Sequence, residues 1–454
     1  MKKQLISIPI SLILISTVFS GCTENENNDD NTNLPSNEIS LETKSQYFVE
    51  NLTNENYETV FEEFTSEMKS VFPVEDLQYA WESLLSTYGS FEEIVRTKQT
   101  EEQGYQIVYV TCSFSTVGFL DLRFVFDDHN RIAGFQFVPT ESTEEYSSPN
   151  YVNTSLFTEQ NITIGSNPWQ LPATLSIPTG SGPFPAVVLV HGSGPNDRDE
   201  TIGPNKPFKD IAQGLASKGI MVLRYDKRTN VYPNEFAALS SYTPQEEVID
   251  DAISAISLLK NHRLSDQNQV FLLGHSLGAT MAPEIARQSS GLTGVIMLAT
   301  SARSFEDLYL DQITFLSELD GTIDENEQEQ IDSTEESVQK IKRLNMTENE
   351  TVLNLPRSYW VYLSTYNPIE TAQNLTLPLF LLQGKRDYQV TYEDDFLVWQ
   401  NTFNTTSRVS FQTYETLNHL FITGSGTPTN TEYLSPGNVD ETVITDIENW
   451  IKNR

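Results

Sequence analysis

Cysteine is almost missing from this 454-residue chain: Cys22 and Cys112 are the only two, too few for a disulfide-stapled fold or a cysteine-built metal site. Histidine is scarce too, at five residues, and neither a metal-ligating cluster nor a phosphate-binding glycine loop can be found, so no cofactor and no metal are expected. Positive charge is in short supply, with 28 basic against 63 acidic residues and a formal net charge of −35. Such a chain repels nucleic acid and anionic lipid surfaces, which removes both as expected partners. The acidity has no local focus and reads as a hydrated surface. What is plentiful is apolar: 38% hydrophobic and 11% aromatic residues suffice for two or three domains with real cores.

The apolar stretch Leu5–Phe19 follows Lys2 and Lys3 and is too short to span a bilayer comfortably. It ends in Phe19-Ser20-Gly21-Cys22, which resembles a lipoprotein-type signal peptide. The resemblance implies cleavage before Cys22, a lipid on its sulfur, and a chain held by that lipid alone on the outer face of the cell membrane. Cys112 would then stand alone, which excludes an intramolecular disulfide. Residues 23–42 are polar, acidic and free of aromatics, and read as a flexible tether.

Two further regions follow. In residues 43–140, Tyr47, Phe48, Leu52, Tyr57, Val60 and Phe61, then Leu77, Trp81, Leu84 and Leu85, recur at helical spacing. Tyr105–Phe114, Phe119–Phe126 and Ile132–Val138 then alternate as a three-stranded antiparallel meander, giving a small α+β domain. A Ser, Thr, Glu and Pro-rich linker is expected over 141–155. In residues 156–454, short strands apolar on both faces are expected at Ala173–Ile177, Ala186–Val190, Ile220–Leu223, Val270–Leu273, Val295–Ala299, Leu379–Leu382 and Val409–Tyr414. Helical patterns at Phe208–Lys218, Pro244–Lys260 and Leu277–Arg287 alternate with them, so the fold class is α/β with a mostly parallel sheet. About 80 residues separate Ala299 from Leu379, more than a crossover needs. They read as a helical cap at about 303–370, with Tyr359-Trp360-Val361-Tyr362 placed to line a pocket or to pack the cap on the body.

The pentapeptide Gly274-His275-Ser276-Leu277-Gly278 closes one of these strands, where a sharp turn into a helix would expose the serine hydroxyl. A serine nucleophile needs a base, a group to orient it, and donors for an oxyanion. His419, in Asn418-His419-Leu420-Phe421 beyond the last strand, is the one histidine downstream. Asp387 follows the strand Leu379–Leu382 in Gly384-Lys385-Arg386-Asp387. The strand Val187–Val190 runs into His191-Gly192-Ser193-Gly194-Pro195, whose backbone would supply one oxyanion donor at Ser193, with Leu277 as the other. His191 is read as fixing this turn by hydrogen bonding, and His275 as packing on the strand side of the nucleophile. Asp197, Arg198, Asp199, Asp226 and Arg228 are read as an ion network beside the site rather than as substrate ligands.

In this order, the four motifs resemble the serine-hydrolase α/β-hydrolase superfamily. The stretch His191–Thr201, with Arg224-Tyr-Asp-Lys-Arg228, is similar to a branch of secreted carboxylesterases that carry a small N-terminal α+β domain of unknown function. The resemblance implies hydrolysis of small or medium acyl esters through an acyl-enzyme, with Ser276, Asp387 and His419 catalytic and Ser193 and Leu277 forming the oxyanion hole. Two alternatives stay open at this level: a serine aminopeptidase of the same fold acting on peptides, and an inactive cell-surface binding protein.

Overall fold

A computed structural model describes residues 40–88, 91–102, 105–114, 118–140, 146–319, 321–323, 325–348, 350–429, 432–433 and 435–454. The expected signal peptide, Cys22 and residues 23–39 of the expected tether lie outside the described residues. The chain divides into two compact units, Met1–Glu141 and Ser142–Arg454.

In the first unit Ser40 caps the helix Leu41–Thr53 by accepting the Thr43 N–H at 3.2 Å, so regular structure begins inside the segment read as tether. The stripe Phe48, Val49 and Leu52 is buried with Leu77, Trp81 and Leu84 of the helix Val74–Tyr88. Both helices cover one face of a sheet formed in order by β1 (Phe91–Glu102), β2 (Tyr105–Phe114), β3 (Gly118–Phe126) and β4 (Ile132–Pro139), all antiparallel. The sequence predicts three strands here and the structure has four. The missing one, β1, carries Glu92-Glu93-Ile94-Val95-Arg96-Thr97-Lys98; this edge strand is too charged to show apolar alternation, and pairing with β2 defines it instead. Cys112 is fully buried on the core face, where burial pushes its thiol up to about 12.

Of the expected linker 141–155, residues 146–155 are described and are tied down at two points. The Tyr146 hydroxyl donates to Asp210 and that of Tyr151 to the Val439 carbonyl, both at 2.7 Å. The Tyr151 ring lies so close to Gly214 that a Cβ there would come within 2.9 Å of it. These tyrosines make residues 146–155 part of the second unit.

That unit begins with β5 (Phe157–Ile164), β6 (Leu171–Pro178), β7 (Phe184–Val190), β8 (Met221–Tyr225), β9 (Ser265–His275) and β10 (Gly294–Leu298). The cap follows: helices Phe305–Ser317, Glu325–Lys342 and Arg357–Thr365, with a two-stranded ladder of β11 (Thr351–Val352) and β12 (Leu355–Pro356). Ile341, Met346, Val352 and Trp360 give the cap a core of its own. The chain then returns to the sheet as β13 (Leu379–Gly384) and β14 (Val409–Tyr414).

The eight-stranded order is β14-β13-β10-β9-β7-β8-β6-β5. Pairing is parallel from β14 to β8 and antiparallel at the β6–β5 edge. Alternate residues of the central strands enter different cores. Val187, Leu189, Phe271, Leu273, Ile296 and Leu298 meet the helices Pro207–Ser217 and Glu441–Lys452. Val188, Val190, Leu272 and Met297 meet the helices Asp250–Asn261 and Leu277–Gln288. Coverage on both faces explains the unbroken apolar runs, and each buried side chain contributes about 1.5–3 kcal/mol before entropy is counted. The sequence reading lacks β5, whose only buried residues are Phe157 and Ile164 at its two ends.

Candidate active site

At the carboxyl end of β9 the chain turns into the helix Leu277–Gln288 at Ser276, whose φ of 53° and ψ of −117° lie where non-glycine residues are seldom found. The turn is possible because of its glycines. A Cβ on Gly274 would lie 2.3 Å from the Gly278 carbonyl oxygen, and one on Gly278 would lie 2.2 Å from that of Val190. The Ser276 N–H donates to Leu298 O at 2.9 Å, and the Thr280 hydroxyl donates to Ser276 O at 3.1 Å. Local strain is thus held by the neighbouring strand and the following helix turn.

Asp387 and His419 lie beyond the carboxyl ends of β13 and β14, near this turn. His419 Nδ1 is 2.7 Å from Asp387 Oδ2, and both side chains are almost wholly buried. Oδ2 also accepts from Gln383 Nε2 at 3.1 Å, while Oδ1 accepts the N–H groups of Gln389 and Val390 at 2.9 and 3.0 Å. Arg386 does not pair with Asp387; its guanidinium meets Glu432. The His419 loop is built by Asn418, whose side-chain oxygen accepts the N–H groups of Leu420 and Ile422 at 3.0 and 3.2 Å. Gly384 lets the loop approach β13, since a Cβ there would be 2.3 Å from Leu417 O. Gln383, Gly384 and Asn418 were not found from the sequence; only adjacence to Asp387 and His419 hinted at them.

Beyond β7, Ser193 lines the cavity beside Ser276 and Leu277. Gly194 supports the turn with a φ of 91°, and Asn196 Nδ2 donates to Ser193 O at 3.0 Å. Leu277 opens its helix, where first-turn N–H groups have no intrahelical acceptor. Gly192 is held at both ends: its N–H donates to Glu200 Oε1 at 2.7 Å, and its carbonyl accepts from Lys227 Nζ at 2.9 Å. Lys227 in turn pairs with Glu247 at 2.6 Å, and both are buried. His191 packs between Phe208 and Tyr225, and burial holds its pKa down at about 4, so it is a neutral support. His275 is more than packing. Its Nδ1 lies 3.0 Å from Glu200 Oε2 and its Nε2 lies 2.9 Å from the His419 carbonyl oxygen.

A cavity of about 580 Å³ opens onto Ser276. Met281 lines it from the body, with Leu308, Tyr309, Trp360, Leu363 and Tyr366 from the cap. Trp360 is fixed by Nε1 donating to Val352 O at 2.9 Å, and the Tyr366 hydroxyl donates to Thr280 O at 2.7 Å. Of the cationic lining residues, Arg303 pairs with Asp395 at 2.8 Å and with Asp311, and Lys342 pairs with Asp307 at 2.5 Å. Tyr359, the neighbour of Trp360, is buried away from the cavity and bonded to Glu247. The aromatic run therefore serves both uses considered for it.

The charged loops form the ion network. Arg198 grips Asp226 through Nε and Nη2 at 2.9 and 2.7 Å. Arg224 meets Asp199 and Glu159 at 2.9 and 2.8 Å, and Arg228 meets Asp251 at 2.6 Å. Asp197 instead accepts the N–H groups of Asp199 and Thr201. None of these residues lines the cavity. Among the described residues, no group of three or more His, Cys, Asp or Glu is placed to hold a metal ion.

A parallel sheet with a strained serine turn, a buried acid–histidine pair and a capped cavity at its carboxyl edge defines a hydrolase of the α/β-hydrolase fold. The chain belongs to the family described as "Serine aminopeptidase, S33", whose profile matches residues 183–424. A second profile, "Protein of unknown function (DUF3887)", matches residues 45–135, within the first unit. Esterase EstD of Thermotoga maritima is 40% identical over 404 residues, which cover 89% of this chain and 93% of that protein. Among solved structures, Est1E from Butyrivibrio proteoclasticus is 14% identical, with 65% of this chain and 99% of that one covered at a TM-score of 0.42. The acylaminoacyl peptidase of Pyrococcus horikoshii is 17% identical, with 80% and 51% covered at a TM-score of 0.43.

Proposed function

We propose that this hydrolase is a serine carboxylesterase acting on small or medium acyl esters. The observation that carries this is the cavity: Ser276, Ser193 and Leu277 share it with a cap wall in which apolar side chains such as Leu308, Trp360 and Leu363 are mixed with polar ones. Ser276 attacks the ester carbonyl as His419 takes its proton, and Asp387 holds the imidazole with Nδ1 protonated. The N–H groups of Ser193 and Leu277 receive the oxyanion. His419 then protonates the departing alcohol, and a water activated by the same imidazole cleaves the acyl-enzyme. Similarity to an esterase over most of both chains supports this reading.

We rank an aminopeptidase second to the esterase. An aminopeptidase needs an anion for the substrate ammonium, and the lining carboxylate, Glu306, stands in the field of Lys342. Nitrophenyl esters with acyl chains of about four to eight carbons are expected to be hydrolysed, and aminoacyl nitroanilides at under about one-hundredth of that rate. Faster cleavage of the anilides would replace the esterase reading with the peptidase one. Leu363→Trp, which fills the cavity wall, should lower kcat/KM for the octanoate ester about tenfold more than for the acetate ester. An equal loss on both would place the acyl chain elsewhere.

For location, we propose the reading that the N-terminal sequence supports. Lys2, Lys3, Leu5–Phe19 and Cys22 support export and lipid anchoring outside the cytoplasm. In the native host, Cys22→Ala is expected to abolish incorporation of labelled fatty acid, and labelling that persists would sink the proposal.

A further inference from the structure

Two buried residues in the site have no part in the chemistry just described, Glu200 and His275. We propose that they are positioning residues, a buried acid–imidazole pair that fixes both the oxyanion turn and the His419 loop against the nucleophile. The inference rests on the serine esterase reading and deepens it.

The geometry runs through three chain segments in a single line. Gly192, in the turn that carries Ser193, donates its N–H to Glu200 Oε1 at 2.7 Å. Glu200 Oε2 lies 3.0 Å from Nδ1 of His275, the residue immediately before the nucleophile. His275 Nε2 reaches the backbone oxygen of His419, the proposed base, at 2.9 Å, and the two imidazole rings lie 4.7 Å apart. The glycine at 192 lets this line close tightly: a Cβ there would stand 3.2 Å from Ser276 Cβ and 3.4 Å from Glu200 Oε1. The oxyanion turn, the nucleophile strand and the base loop therefore share one pair of side chains.

Glu200 is aimed inward by its own turn. Its φ of 52° is left-handed, its N–H donates to Asp197 O at 3.0 Å, and Asp197 Oδ1 accepts the N–H groups of Asp199 and Thr201 on either side of it. A left-handed glutamate that is 2% exposed is an unusual thing to keep in a surface loop. Burial opposes charge on both partners, yet their mutual attraction outweighs it: His275 is held above the ordinary histidine value and Glu200 below the ordinary carboxylate value. The other groups facing the pair are His191, which is neutral, Lys227 on the far side of Gly192, and Asp387 behind His419. A buried pair bonded at both outer ends to backbone is a rigid spacer, and misplacing a base or an oxyanion donor by about 1 Å costs about 100-fold in rate.

The test compares full-length variants on nitrophenyl butyrate and by the rate of fluorophosphonate labelling, with melting temperature measured on each. Glu200→Ala and His275→Phe should lower kcat and the labelling rate about 100-fold while KM changes less than about threefold. Glu200→Gln keeps an acceptor for Gly192 and can donate to Nδ1 of a neutral His275, so it should stay within about fivefold of wild type. His275→Gln keeps a donor for the His419 carbonyl and should fall between, which preserves the test if His275→Phe does not fold. Folded Glu200→Ala with wild-type kcat would overturn the positioning role, as would losses that follow melting temperature alone, with no rescue by Gln. If wild-type enzyme is not labelled on Ser276, the serine reading itself fails; labelled wild type with unaffected variants removes only the role of the pair.

Discussion

Ser276→Ala is expected to lower kcat on a short-chain nitrophenyl ester about 10⁵- to 10⁶-fold, with KM changed little. In the proposed mechanism the serine forms the acyl-enzyme; without it water would have to attack directly, aided by the proposed N–H donors of Ser193 and Leu277 and by binding in the cavity. The substitution adds no atom to the crowded turn, where Gly274 and Gly278 already approach backbone oxygens, so the fold should be unchanged. A variant retaining more than about one-hundredth of wild-type kcat would show that Ser276 is not the nucleophile.

Asp387→Asn should cost about 10⁴-fold in kcat through a proton rather than through shape. Oδ1 of Asp387 accepts two backbone N–H groups, from Gln389 and Val390. An asparagine would turn its oxygen toward those donors, leaving its NH₂ facing His419 Nδ1. Nδ1 would then have to accept, and the proton would move to Nε2, the atom proposed to take the serine proton. The NH₂ would also face Gln383 Nε2, which now donates to Oδ2, adding some loss of stability. Steady-state kinetics on the purified variant, with its melting temperature alongside, measures both effects. A loss below about tenfold would mean that Asp387 does not set the tautomer.

The site residues the sequence points to are those whose proposed chemistry would demand both a type and a place. Ser276 is flagged by two glycines, His419 by being the one downstream histidine, and Asp387 by following a doubly apolar strand. The parallel sheet was legible for a related reason, since coverage on both faces removes polar residues from Ala186–Val190, Val270–Leu273, Val295–Leu298 and Leu379–Leu382. Two of the edge strands escape this logic: β1 and β5 are each paired on one side, β1 is charged from Glu92 to Lys98, and β5 is buried only at Phe157 and Ile164. Glu200 was hidden differently. It is one of 63 acidic residues, and only the left-handed turn that follows Asp197 separates it from a solvated carboxylate. Gln383 donates to the Val390 carbonyl and Asn418 accepts the Ile422 N–H, and bonds to backbone groups leave no residue pattern in the sequence.

The docking of Tyr146 and Tyr151 onto the hydrolase unit bears on how such chains can be recombined. If the leading α+β module were exchanged for another at the visible change in composition near residue 155, the hydrolase would lose two hydroxyls that hold Asp210 and Val439, together with an aromatic ring packed on Gly214. The natural seam therefore falls ahead of Tyr146. A shuffled descendant joined there would inherit a finished hydrolase, whereas one joined nine residues later would inherit an exposed flank on the helix Pro207–Ser217.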